Sequence, residues 1–138
     1  MGVDLSSIMV HKPPMLLADH IVEAGDGFGV TSFKIEEENI FLDEDGVFAR
    51  EALIECAAQS IAASNAYAAF LENRATDNGF LVGLKDFVVY QDARLGDVLT
   101  CQMRVTDRIA QTHIVSCSVS VGDVLLAEGE IRIFVLAE

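Results

Sequence analysis

The sequence predicts an α+β domain, a curved antiparallel sheet wrapped around one long central helix. Three observations predict it. Glu51 to Leu71, EALIECAAQSIAASNAYAAFL, contains neither Gly nor Pro and is rich in Ala, the strongest helix former. The same stretch is apolar almost all round, the pattern of a helix buried on most sides. After it come runs in which apolar and polar residues alternate, the pattern of strands with one buried face.

Each element has its own reason. Residues 3–8 suit one helical turn, which Pro13 and Pro14 break. Met15-Leu16-Leu17 reads as a short apolar strand, followed by Ile21-Val22. Gly25-Asp26-Gly27 marks a turn. Phe28 to Ile35 mixes β-branched and aromatic residues and reads as a strand. The acidic stretch Glu36 to Asp45 is a loop that delivers the chain to the helix. At about 1.5 Å per residue the helix is a rod of roughly 30 Å. Glu72 to Asn78 is polar, and Asn78-Gly79 signals a turn. Four strands follow. Phe80 to Tyr90 is rich in Val and Phe. Val98 to Val105 places Leu99, Cys101, Met103 and Val105 on one face. His113 to Val121 sets Val115, Cys117, Val119 and Val121 opposite Ser116, Ser118 and Ser120. Gly122-Asp123 is a two-residue hairpin turn, and Val124 to Leu136 is the last strand.

Composition bounds the rest. The 138 residues, 51% of them hydrophobic, contain no repeat or linker, so 1–138 reads as a single domain. No apolar run is long enough to span a membrane. The first residues lack the basic and apolar regions of a signal peptide, so a cytoplasmic location is the expectation. Cys56, Cys101 and Cys117 have neither zinc-site nor CxxC spacing and read as small buried hydrophobes. His11, His20 and His113 are scattered, so no metal and no cofactor are expected. A net charge of −13 argues against nucleic acid as a partner.

One polar pair interrupts the apolar helix. Glu55 and, one turn on, Gln59 lie within it. A buried carboxylate is costly unless it is paired or neutralised, which makes Glu55 the candidate catalytic residue. Desolvation favours its protonated form, as a general acid requires. The alternative is a local pair, because Gln59 at i+4 is within hydrogen-bonding reach.

Four segments in order resemble the 3-hydroxyacyl-ACP dehydratases of type II fatty-acid synthesis. His11-Lys12-Pro13-Pro14-Met15-Leu16-Leu17-Ala18-Asp19 is similar to their opening H-R-x-P-x-L-L-x-D. Leu53-Ile54-Glu55-Cys56-Ala57-Ala58-Gln59 is similar to their helix signature L-I-x-E-A-M-A-Q, with its apolar residues offset by one. Val82-Gly83-Leu84 and Leu95-Gly96-Asp97 resemble their A-G-I and P-G-D. The resemblance runs from His11 to the end. It implies a hotdog fold, usually dimeric, with active sites at the dimer interface. It departs before the helix, where the family carries G-H-F-P-G with a catalytic His. Here Leu42-Asp43-Glu44-Asp45-Gly46-Val47-Phe48-Ala49 is shorter and has no His. This shortened form resembles the dehydratase-like proteins of aryl-polyene pigment clusters.

The resemblance implies dehydration of a 3-hydroxyacyl thioester, on an acyl-carrier protein or CoA, to a trans-2-enoyl thioester. Glu55 is then the acid and Gln59 a positioning residue. The backbone N–H groups of Phe48, Ala49 and Arg50, at the helix entry, are expected to face the thioester oxygen. His11 is the first candidate base, although in the family that His is generally structural. The partner is either a second copy or a paralogous hotdog dehydratase that brings a His. Phe80 to Tyr90 is the strand expected to pair across that interface, since a bare apolar edge invites pairing. Non-catalytic scaffold or acyl-binding subunit, and acyl thioesterase, are the competing functions. In each, a tunnel beside the Ala-rich helix suits an acyl chain. Lys85, Arg94, Arg104 and Arg108 are candidates for a basic patch that receives an acidic carrier.

Overall fold

The central helix, α1, runs from Arg50 to Leu71 in a computed structural model that describes Leu5, Met9, residues 15–73 and residues 78–136. Its buried positions, among them Ala52, Leu53, Cys56, Gln59, Ile61, Ala63 and Tyr67, cover a broad arc of the cylinder, while Glu51, Ile54, Glu55, Ala58, Ala62 and Asn65 on the remaining side are exposed or half-buried. The helix stops where Asn73 turns left-handed at φ 53°, a conformation Asn tolerates. The N–H groups of Glu72 and Asn73 bond back to Ala68 O and Phe70 O and satisfy two of the last carbonyls.

Among the described residues six strands form one sheet: β1 His20–Gly25, β2 Phe28–Lys34, β3 Asn78–Val89, β4 Val98–Ile109, β5 Thr112–Val121 and β6 Val124–Leu136. Their order is β1-β2-β4-β5-β6-β3, and every neighbouring pair is antiparallel. The inner face presents Leu99, Cys101, Met103, Val115, Cys117, Val119, Ile131 and Ile133 to the helix. Gly29 of β2 lets the two layers touch, since a Cβ there would strike the Ser64 side chain of α1. A second cluster, along the C-terminal half of the helix, joins Leu5, Met9, Leu16, Ala18 and Ile21 to Ala63, Ala66 and Tyr67. The central helix is therefore covered along its length by the two clusters, and the side that carries Glu51, Glu55, Ala58, Ala62 and Asn65 keeps access to the surface, although its pattern is apolar almost all round. No helix among the described residues is long and apolar enough to cross a membrane.

The two sheet edges differ. The β1 edge is six residues long and bulges between Ile21 and Glu23, both devices that blunt an edge. The β3 edge is twelve residues long and leaves Phe80, Leu81, Val82, Leu84 and Val88 exposed.

Three expectations need correction. Met15-Leu16-Leu17 is not a strand, because its main chain bonds to the Gln59 side chain and not to another strand. Asn78-Gly79 is not a turn. It opens β3, paired with Leu136 and Val135, because the long β6 supplies partners that override local preference. β4 continues to Ile109 past Val105, because a bulge between Val105 and Asp107 breaks the alternation without ending the ladder. The helical turn expected at residues 3–8 lies, apart from buried Leu5, outside the described residues, as do Pro13 and Pro14.

Candidate functional site

Glu55 sits in the second turn of α1 and is half-buried, less enclosed than the sequence suggests. Gln59, one turn on, is 1% exposed and makes three hydrogen bonds. Its Oε1 accepts from Leu17 N–H at 2.6 Å. Its Nε2 donates to Met15 O at 2.9 Å and to Glu55 Oε1 at 3.1 Å. Both readings of the Glu55–Gln59 pair therefore share one geometry. The carboxylate has a fixed local partner and keeps access to the surface.

The helix entry is more occupied than expected. Phe48 is fully buried and stacks edge-on against Phe41, ring centroids 6.1 Å apart. Its N–H donates to Ala93 O at 2.9 Å, and the Ala49 N–H donates to Phe41 O at 2.9 Å. Neither amide is available to a thioester oxygen. The Arg50 and Glu51 amides, at the first two positions of the helix, have no acceptor among the described residues. The Arg50 side chain anchors this end, with Nε 2.7 Å from Asp92 Oδ1 and Nη1 3.5 Å from Val89 O. Ala93, Phe41 and Asp92 had no signal in the sequence that tied them to the helix start.

The imidazoles lie elsewhere. His11 is outside the described residues. His20 is exposed and pairs with Ser32, on the sheet face opposite the buried Ile21–Thr31 pair. His113 pairs with Arg108 and Ile133, six residues along β5 from Val119. Val119 belongs to the row, with Ala127 and Val89, that meets the helix start. Six strand residues span about 20 Å. The basic residues are dispersed too. Lys85, Glu130, Ser116 and Arg104 form one row across the sheet, with an acid between the two cations. Arg104 lies over the Phe28 ring at 5.2 Å. The β4 bulge turns Arg108 to the other face, and Arg94 lies in the connection between β3 and β4.

The thiols of Cys56, Cys101 and Cys117 are all free and buried. Burial is the first cause that pushes Cys56 upward in pKa and Cys117 up to about 12. Cys56 and Cys117 therefore remain protonated near neutral pH, which leaves these two poor nucleophiles and poor metal ligands. Among the described residues no three His, Cys, Asp or Glu side chains group to hold a metal. A groove of about 430 Å³ lies on the outer sheet face, lined by polar groups including Lys85, Tyr90, Ser116 and Glu128.

Comparison with known proteins gives a consistent answer. The sequence matches the ApeP-like family, described as ApeP dehydratase, over residues 3–138. No curated protein sequence matches it. The fold is similar to a chain of the dehydratase heterocomplex ApeI:P from Xenorhabdus doucetiae. The TM-score is 0.88 at 18% identity, covering 100% of this chain and 94% of that one. It is also similar to an uncharacterized protein of Pyrococcus horikoshii, TM-score 0.72 at 14% identity, over 100% and 96% of the two chains. A hypothetical thioesterase of Streptococcus pneumoniae, solved with coenzyme A, has TM-score 0.70 at 15% identity, over 86% and 89%. At these identities the likeness establishes a fold, the hotdog, shared by dehydratases and thioesterases.

Proposed function

The chain belongs to the ApeP dehydratase family, and from that premise we propose that it is the carboxyl-bearing subunit of a two-chain 3-hydroxyacyl-thioester dehydratase. The observation that carries this reading is Glu55, half-buried and held by Gln59, with both described imidazoles placed away from it. The relative from Xenorhabdus doucetiae is a dehydratase heterocomplex, which supports a paired assembly here. The partner is a hotdog paralogue that brings a His. It seats along β3, the long edge with exposed Phe80, Leu81, Val82, Leu84 and Val88. Pairing with a second copy would double a charge that is already −13, so a less acidic partner is favoured.

The reaction balances with two proton carriers. The partner's imidazole takes the C2 proton of the thioester. The C2–H electron pair becomes the C2–C3 double bond as the C3–O bond breaks. Glu55 gives its proton to the departing oxygen, and water leaves. Charge that builds on the thioester oxygen is met by the Arg50 and Glu51 amides at the positive end of α1. The acyl group arrives on an acyl-carrier protein or CoA.

The test is turnover of a 3-hydroxyacyl thioester by this chain alone, by the co-expressed pair, and by the pair carrying Glu55→Gln. The pair is expected to be active. Loss of the acid should lower its rate by ~10²–10⁴-fold. Glu55→Gln should keep its melting temperature, because the new amide oxygen still accepts from Gln59 Nε2. Ordinary enzymatic rates from the chain alone would rule out the partner and send attention to His11. Activity of the pair that Glu55→Gln leaves intact would make this chain a scaffold.

A further inference from the structure

We propose that the Arg50 side chain is a positioning group: its guanidinium clamps the start of α1 to the segment that leaves β3, and so sets the distance between the open helix amides and the group a partner brings along that edge. This role rests on the paired assembly and on those amides meeting the thioester oxygen, as proposed above. The start of α1 breaks two rules of helix building at once. Ala49, at the cap position, makes no side-chain hydrogen bond. Ser, Thr, Asp or Asn there would occupy a free amide. Arg50, a cation, stands at the first helical position, where the helix dipole favours an anion. Neither choice stabilises the helix. The missing cap leaves the Arg50 and Glu51 amides open, and the arginine finds its partners off the helix. Departures from local rules of this kind concentrate at functional sites.

Those partners lie on one segment. The entry loop runs antiparallel beside residues 93–95. Leu95 N–H donates to Gly46 O at 2.9 Å, Val47 bridges to Arg94, and Phe48 N–H donates to Ala93 O at 2.9 Å. The ladder ends there, because Ala49 N–H turns to Phe41 O. The Arg50 side chain carries the contact further. Its Nε lies 2.7 Å from Asp92 Oδ1, and its Nη1 lies 3.5 Å from the carbonyl oxygen of Val89, the last residue of β3. A guanidinium presents its N–H groups in a fixed fork that reaches a carboxylate and a carbonyl together, and an ammonium does not. Tyr90 and Gln91, between those two partners, both donate their N–H groups to Leu126 O, and Tyr90 OH donates to Glu128. The helix start is thereby tied to the end of the edge strand and, through it, to β6. A strand seated along β3 meets the helix amides at a set distance.

The test compares Arg50→Lys, Asp92→Ala and the double variant in the co-expressed pair. Lys keeps the charge and loses the fork. The wild-type side chains are 52% and 35% exposed, so substitution there leaves the fold intact. Misplacing a reacting group slows the chemistry without loosening binding. Each single variant should therefore lower kcat about ten- to a hundredfold, with KM and the affinity of the pair unchanged. The double variant should be no slower than the slower single one, because the two side chains act as one clamp. A pair that weakens while kcat at saturating partner holds would make Arg50 an interface residue. Wild-type kcat in Arg50→Lys would leave only its charge at work. Either result overturns the proposal. The isolated chain gives a reading that needs no activity. NMR order parameters of the Arg50 and Glu51 amides should fall in Asp92→Ala, while those of residues 63–69 stay as they are. Unchanged order parameters at the helix start overturn the proposal as well. Lower ones, beside a wild-type pair with no turnover, uphold the clamp and fail only the dehydratase reading.

Discussion

Gly129→Ala is a sharp test of how the β3 edge is built. Gly129 pairs with Cys117 on β5. On its other side, β3 slips register between Lys85 and Val88, with Asp86 left-handed at φ 53°. The slip carries Phe87 inward over Gly129 and into the core. A Cβ at position 129 would strike the main chain of Phe87 and would lie 2.5 Å from its Cδ2 and 2.6 Å from its Cγ. Two effects compete. Ala in a strand interior is favoured over Gly by about 0.5–1 kcal/mol. Overpacking costs about 1–3 kcal/mol, and here main chain must move as well as a ring. The second effect wins, for a net loss of about 1–2 kcal/mol. In a domain of 138 residues this lowers the melting temperature by roughly 3–10 °C. Thermal and urea unfolding of Gly129→Ala, Phe87→Ala and the double variant would measure it. The cost of Ala at 129 should shrink in the Phe87→Ala background, since the clash with the ring goes and only the clash with the main chain stays. A raised melting temperature for Gly129→Ala, or equal costs in both backgrounds, would refute the account.

Three further outcomes are expected. Val82→Lys, at a position 60% exposed in the bulged β3 edge, should change chain stability by less than about 0.5 kcal/mol while dissociating the proposed pair; a pair that survives in light scattering places the interface elsewhere. Thr31 is 1% exposed and its hydroxyl has no partner among the described residues, so Thr31→Val should be neutral or stabilise by about 1 kcal/mol in urea unfolding, and a clear loss would reveal a hidden bond. The Cys117 thiol, pushed by burial from an ordinary value of 9.0 up to about 12, holds its proton more tightly folded than unfolded. Its contribution is complete below about pH 9 and is lost as pH rises from there toward 12, at up to about 1.4 kcal/mol per pH unit. Cys117→Ala should make the alkaline decline shallower, and an unchanged slope would refute the assignment.

What was legible in the sequence followed from short-range pattern. α1 and β6 were readable because their signals, an unbroken apolar helix and a strand closed by a Gly122-Asp123 turn, are carried by neighbouring residues. The Glu55–Gln59 pair was readable for the same reason, as an i,i+4 contact. What failed depended on distant partners. Met15 to Leu17 has the composition of a strand, but its ladder partner is one side chain more than forty residues away. Asn78-Gly79 has the chemistry of a turn, and only the reach of β6 makes it a strand. The amides of Phe48 and Ala49 looked free because Ala93 and Phe41, which occupy them, are fixed by tertiary structure alone.

The same division of scale bears on function. A helix can advertise its own carboxyl, because the cost of burying Glu55 among Ala and Leu is visible within one turn. It cannot advertise a base that another element supplies. Here β1 holds His20 on the outer face, and β5 holds His113 at the end away from the helix start. Turning either ring toward Glu55 would require moving a strand in the middle or at the blunted edge of a fully paired antiparallel sheet. That costs every ladder bond the strand makes, far more than the few kcal/mol a general base contributes to a barrier. In the proposed pair the open β3 edge is the cheaper place for a partner, because a strand added there breaks no existing ladder and would cover exposed Phe80, Val82 and Leu84.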